Sequence, residues 1–338
     1  MPPPTLNLPA LRVLNLPLSD YSRVSKLQSI LFNLHLLYKS TQGTSKAIPQ
    51  PPPYLITSSF HPIYTFGRRE AARTPPDSVL NLLSSNKAAI AYTPRGGQVT
   101  FHGPGQVVAY PIIDLKRHEL SPRCYVRVIE KAIIRVLETF RIEAFTTEEA
   151  GVWVKDNRKI ASIGVNLRRW VSSHGVALNV DTDLEWFQKI VACGLDGVEM
   201  WSMRKELETR LEQGRESRAL VEAIGMTYGK VFRKKVTEEV VSEIAKGIGC
   251  KLTYPIGADE VEKLGEEYGL SGEDGVEWLK YWDASGLYYR VNGDNIEMEG
   301  EERVPDDLTK TDIKDTEDKE DDTNPDEEGA GGVVKSRD

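Results

Sequence analysis

Residues 95–106 read Arg95-Gly96-Gly97-Gln98-Val99-Thr100-Phe101-His102-Gly103-Pro104-Gly105-Gln106. Four glycines in so short a span permit close backbone approach to a ligand, and dihedrals that other residues avoid. Arg95 and His102 bring hydrogen-bonding side chains to the same segment. The Gly-Lys-Ser/Thr ending of a phosphate-binding loop is missing. The glycine spacing is not that of a dinucleotide fingerprint either, and a strand follows it. Two readings stand: a ligand-binding loop between two strands, or a glycine-rich structural turn.

Outward from the loop, Ala88 to Tyr92 leads in as a strand and Val107 to Ile113 leads out as a buried-looking one. Upstream, Leu11 to Leu16 reads as a strand. Val24, Leu27, Ile30, Leu31, Leu34 and Leu37 give Ser22 to Lys39 helical spacing. Three prolines close the loop from Gly43 to Pro53 before a strand from Tyr54 to Ser59. Downstream, Tyr125, Val128, Ile129, Ala132, Ile133, Val136, Leu137 and Phe140 mark the clearest helix. Gly151 to Val154, Lys159 to Leu167 and Gly175 to Val180 alternate as strands, with a turn at Asp156-Asn157. Leu184 to Ile190, Arg204 to Ile224 and Val231 to Gly247 read as helices. The mixture predicts an α/β domain, with α+β-style mixed sheets, over residues 11–250 behind a short extension, 1–10. Residues 251–293 hold too many aromatics for a plain linker and read as an appended segment that packs at least partly on the body.

The charge is uneven. The chain has 338 residues and a formal net charge of −8. Residues 294–338 carry 18 acidic and 6 basic residues, which leaves a body with a net charge of +4. Such a tail is too polar to offset its chain entropy by burial, and disorder is expected there. No run of about 18 apolar residues exists, so no membrane span is expected. Cys124, Cys193 and Cys250 form neither a disulfide framework nor a metal-ligand cluster. The weak positive charge of the body gives no ground for nucleic-acid binding. Met1 to Ser19 holds one basic residue and no acid; Pro2, Pro3, Pro4 and Pro9 disfavour an early helix, and a cleavable presequence stays open.

The loop, followed by Tyr110-Pro111, resembles the signature of the lipoyl(octanoyl) transferases. Three further blocks are similar to that family in the same order: His61-Pro62-Ile63-Tyr64-Thr65-Phe66-Gly67-Arg68; Lys159-Ile160-Ala161-Ser162-Ile163-Gly164 with Ser173-His174-Gly175-Val176-Ala177-Leu178-Asn179-Val180; and Ala192-Cys193-Gly194-Leu195. The resemblance covers roughly Leu11 to Val241. It implies the catalytic-domain fold of the biotin and lipoate protein ligases, with a substrate tunnel between mixed sheets.

The resemblance also implies a chemistry. An octanoyl chain would pass from octanoyl-acyl-carrier protein to a lysine of a lipoyl domain, in 2-oxo acid dehydrogenase complexes or the glycine cleavage H protein. It implies a monomer with no cofactor and no metal. The carried-over nucleophile is Cys193, since a thiolate suits exchange between thioesters. Lys159 is its partner, a role that requires burial or neighbours to alter its basicity. Arg95, Gly96, Gly97, His102 and Gly103 are expected to line the acyl site, with Ala161, Ser162, Ile163, Gly164, His174 and Gly175 on the facing strands and Tyr64 and Arg68 at its mouth. Taken singly, Cys193 could be a buried inert thiol and Lys159 a solvated turn lysine. Rival functions are an ATP-dependent lipoate or biotin ligase and an inactive carrier-binding protein. Proline usually precedes the family's nucleophile; here it is Ala192. Eukaryotic members act in mitochondria, so that compartment is expected.

Overall fold

The computed structural model describes residues 10–71, 88–155, 157–215, 230–250 and 253–270, and the backbone of three short strands between 281 and 299. In chain order the elements are β1 (Leu11–Ser19), α1 (Tyr21–Thr41), β2 (Tyr54–Phe60), β3 (Ile63–Phe66), α2 (Arg68–Ala71), β4 (Ala89–Tyr92), β5 (Thr100–His102), β6 (Gln106–Ile112), α3 (Pro122–Thr139), β7 (Gly151–Val154), β8 (Arg158–Arg168), β9 (Val171–Asn179), β10 (Glu199–Met200), α4 (Met203–Glu212), α5 (Lys230–Gly247), β11 (Thr253–Pro255), α6 (Ala258–Glu267), β12 (Tyr281–Trp282), β13 (Tyr288–Asn292) and β14 (Asn295–Glu299).

Eight strands form the main sheet in the order β10-β8-β9-β6-β2-β1-β11, with β7 also on β8. The pairs β1–β2, β1–β11 and β8–β10 are parallel; the others are antiparallel. The central strands β6 and β9 are buried at every position, because helices cover both faces. Alternate residues go to opposite sides. Leu55 meets the core built on α3 and α5, whereas Tyr54 and Ile56 meet the one built on α1. A second sheet, β4-β3-β5, packs its aromatic residues against Phe187 and Ala192.

The expected mixed α/β architecture is present, with differences in detail. Residues 100–102 of the glycine-rich segment form a strand, since β3 lies alongside to pair with them. The helix expected over Arg204 to Ile224 is described as α4, ending at Glu212; residues 216–229 lie outside the described residues. The main sheet does not end at Cys250. β11 pairs with β1, and Ile256 and Val261 are buried in the α1 core, so this part of the appended segment packs on the body and extends its main sheet. Regular structure also passes the expected tail boundary at Asp294, because β14 pairs with β13. The rest of the acidic tail, 300–338, and residues 1–9 lie outside the described residues. Among the described residues no helix is long and apolar enough to cross a membrane.

Candidate active site

Cys193 sits in a single 3-10 turn, Ala192–Gly194, with φ 58° and ψ 12°. Left-handed backbone is costly for a residue with a Cβ and persists only where neighbours hold it. The Cys193 N–H donates to the Val99 carbonyl at 2.7 Å. The next residue, Gly194, is left-handed too, and a side chain there would collide with the Gln98 carboxamide. The turn is thus clipped to the glycine-rich loop at two points. The Cys193 thiol lies 3.7 Å from the Ser162 hydroxyl on β8.

Lys159 reaches the same place through a fault in its strand. Val152 pairs with Ala161, but Trp153 pairs with Lys159, so Ile160 is an extra residue on β8. Such a bulge re-aims side chains. Residues three apart on a regular strand face opposite ways; here Lys159 and Ser162 line one cavity. Lys159 is 3% exposed, and its Nζ lies 4.9 Å from the Trp153 ring centre. Gly151 makes room for it: a Cβ there would stand 2.5 Å from Lys159 Cε and 3.1 Å from Nζ. Burial pulls the Lys159 pKa down; the opposing charges are Cys193 first, then Glu149 and Glu130.

Arg95 braces the loop. Its guanidinium donates to the carbonyls of Gly96 (3.1 Å) and Gln98 (2.9 Å), and to the Thr65 carbonyl (2.5 Å) and hydroxyl (2.9 Å). The Gly96 N–H is committed to the Val165 carbonyl at 2.9 Å, so it is not free to hold an oxyanion. His102 is buried, with Nδ1 3.0 Å from Gln106 Oε1, and burial first and Arg95 second push its pKa to about 4. His174 has φ 56° within β9; its N–H donates to Gln28 Oε1 at 2.8 Å. Burial, then Arg95 and His102, take its pKa to about 3.

These pieces enclose a cavity of about 230 Å³. Of the residues expected at the site, Cys193, Lys159, Arg95, Gly96, Gly97, His102, Ser162, Ile163, Gly164, His174 and Gly175 line it. Tyr64, Arg68, Gly103 and Ala161 do not. Tyr64 is fully buried, its hydroxyl donating to the Trp186 carbonyl at 2.8 Å and its ring packed on Phe101. Arg68 is exposed on α2, and the neighbouring Arg69 lines the cavity instead. Gly103 lies over the Phe101 ring, and Ala161 faces the α3 core. Gln98, Tyr110, Val176 and Ala177 also line the cavity; all four lie within the quoted blocks, but only the fold shows which way they point. A larger open groove, about 780 Å³ between α5 and β1, contains none of the expected site residues. No group of three or more metal-ligating side chains occurs among the described residues.

The chain and its fold have counterparts among known proteins. Residues 31–225 match the lipoyl protein ligase A/B catalytic domain, and the chain belongs to that family. The chain is similar to the probable octanoyltransferase of Schizosaccharomyces pombe, 48% identical over 192 residues, covering 56% of this chain and 83% of the relative. It is 38% identical over 199 residues to the mitochondrial octanoyl-acyl-carrier-protein:protein N-octanoyltransferase of Danio rerio, covering 59% and 84%. Among solved structures, the fold resembles Plasmodium falciparum LipL1 in complex with lipoate, with TM-score 0.53, 12% identity, and 84% and 82% of the two chains covered. A bipartite lipoate protein ligase from Thermoplasma acidophilum gives TM-score 0.52 at 16% identity, covering 80% and 96%. Within the lipoyl protein ligase A/B catalytic-domain family the chain is an octanoyltransferase, an acyltransferase enzyme of protein lipoylation.

Proposed function

We propose that the octanoyl group comes from octanoyl-acyl-carrier protein, rests on Cys193 as a thioester, and ends as an amide on a lipoyl-domain lysine. The observation that carries this reading is the convergence of Cys193 and Lys159 in one cavity, which requires the bulge at Ile160.

The Cys193 thiolate, paired with the Lys159 ammonium, attacks the carrier thioester carbonyl. The carbon–sulfur bond to the carrier breaks, and the departing thiolate takes the proton of Lys159. The acceptor lysine, arriving as a neutral amine, then attacks the new thioester. Its carbon–sulfur bond breaks, and the proton lost by the amine goes to Lys159, restoring the starting pair. Burial of Lys159 supports this cycle, because a buried amine gives up its proton more readily than a solvated one. The mitochondrion is the proposed compartment, since relatives from Danio rerio and Saccharomyces cerevisiae are named mitochondrial.

The test is mass spectrometry of the protein mixed with octanoyl-acyl-carrier protein. An octanoyl group is expected on the peptide containing Cys193, absent in Cys193→Ala and formed roughly 100-fold more slowly in Lys159→Ala. No adduct in the wild type, or an adduct unaffected by Cys193→Ala, overturns the reading. Octanoylation from free octanoate and ATP alone would favour a ligase.

A further inference from the structure

Gln106 lies buried, 2% exposed, at the start of β6. Its Nε2 donates to the Phe101 carbonyl at 3.1 Å and to Asn179 Oδ1 at 2.9 Å. A backbone carbonyl can only accept, so the orientation of the carboxamide is fixed. Asn179 is fixed in the same way: its Nδ2 donates to the Trp201 carbonyl at 2.9 Å, leaving Oδ1 as the acceptor for Gln106. Gln106 Oε1 therefore faces His102 Nδ1, and an amide oxygen cannot donate. The hydrogen must be on Nδ1. In a neutral imidazole the other nitrogen, Nε2, then carries a lone pair. His102 lines the cavity shared by Cys193 and Lys159. Among the described residues, Nδ1 with Gln106 is its one side-chain hydrogen bond, and Nε2 has none.

We infer that Gln106 and Asn179 are positioning residues that fix His102 in the Nδ1–H form, and that His102 Nε2 accepts an N–H of the acceptor lysine amine during the second transfer. This rests on the two-step reading above. In the first transfer the proton passes from Lys159 to the departing sulfur, and the attacking thiolate offers no hydrogen to this lone pair. The amine does. It has a lone pair for the thioester carbon and two hydrogens: one leaves to Lys159 and the other is held by His102. Holding that hydrogen aims the nitrogen lone pair, and correct aim is a large part of the rate of such a step. His102 takes no proton in the cycle, which suits a ring kept neutral by its burial and by Arg95.

Two measurements on the full chain test this. First, imidazole 15N spectra of the wild type should show His102 protonated at Nδ1 and bare at Nε2 across neutral pH. A His102 Nε2–H signal overturns the inference without any variant. Second, the half-reactions are timed separately in Gln106→Met and Asn179→Ala. Formation of octanoyl-Cys193 should stay within about twofold of wild type. Transfer from preformed octanoyl-Cys193 to a lipoyl domain should slow by roughly tenfold or more, through kcat rather than acceptor KM. Equal slowing of both halves, or unchanged transfer, overturns the inference. If the wild type forms no adduct at all, the two-step reading fails first and takes this one with it.

Discussion

Gly151 shows how one residue governs the candidate site. Its φ of 138° is outside what a side chain tolerates, and the space a Cβ would fill belongs to Lys159 Cε and the Ala161 carbonyl. Its N–H donates to Glu130, a carboxylate buried on α3 and paired with Arg127. Gly151→Ala must therefore either push Lys159 aside or bend β7. We expect it to cost about 1–3 kcal/mol in a urea titration, the range for a strained backbone combined with overpacking. Formation of the Cys193 adduct should slow by more than roughly tenfold, since a displaced lysine no longer holds its place in the cavity it shares with the thiol. A variant with wild-type stability and wild-type adduct rate would show that the glycine is incidental.

At the scale of elements, the long helix α3 is the clearest case of local rules agreeing with the fold. The Ser121 hydroxyl accepts the Cys124 N–H, Pro122 opens the first turn, and Tyr125, Ile129, Ala132, Ile133, Val136 and Leu137 face the core. Ser121→Ala should lower stability by about 1 kcal/mol in chemical denaturation and leave the adduct rate unchanged. A loss of catalysis at equal occupancy of the folded state would show that this cap acts on the site and not on stability alone. Such elements are legible in sequence because the signals are local: the helical period of α3, the strand Gly151–Val154, and the block around Cys193. The bulge at Ile160 is not legible, because no residue type announces it; it is set by how β7 and β8 pair. The same limit explains Tyr64. Its place in a quoted block suggested the pocket mouth, but strand β3 turns it inward against Phe101 and Trp186. It also explains β11, three exposed residues whose strand identity comes from β1 alone.

Across the whole molecule, the candidate cavity draws on both sheets and on the Cys193 turn, so its integrity depends on the fold as a unit. That unit buries four histidines, His118 among them with its pKa lowered by burial, and holds three as strongly neutral rings: His35 and His174, each with a pKa of about 3, and His102 at about 4. Desolvation is the leading cause for all three. The ordinary value is 6.5, so between that value and the folded values the unfolded chain binds more protons than the native one. The stability these rings contribute is present above pH 6.5 and is lost as the pH falls towards 3, at about 1.4 kcal/mol per histidine per pH unit. Glu70 and Asp181 are raised by burial and act in the opposite direction, so the slope of the whole protein mixes both signs. His35 separates them. It lies away from the cavity, edge-on to Tyr54 at 5.9 Å, with Arg117, Lys39 and His118 adding to its depression. Urea midpoints for wild type and His35→Gln, taken at about pH 6 and about pH 5, should differ in slope by close to one proton, the variant being flatter. Equal slopes would mean that His35 is protonated in the native protein, and that burial there is compensated by a partner other than the Pro52 backbone.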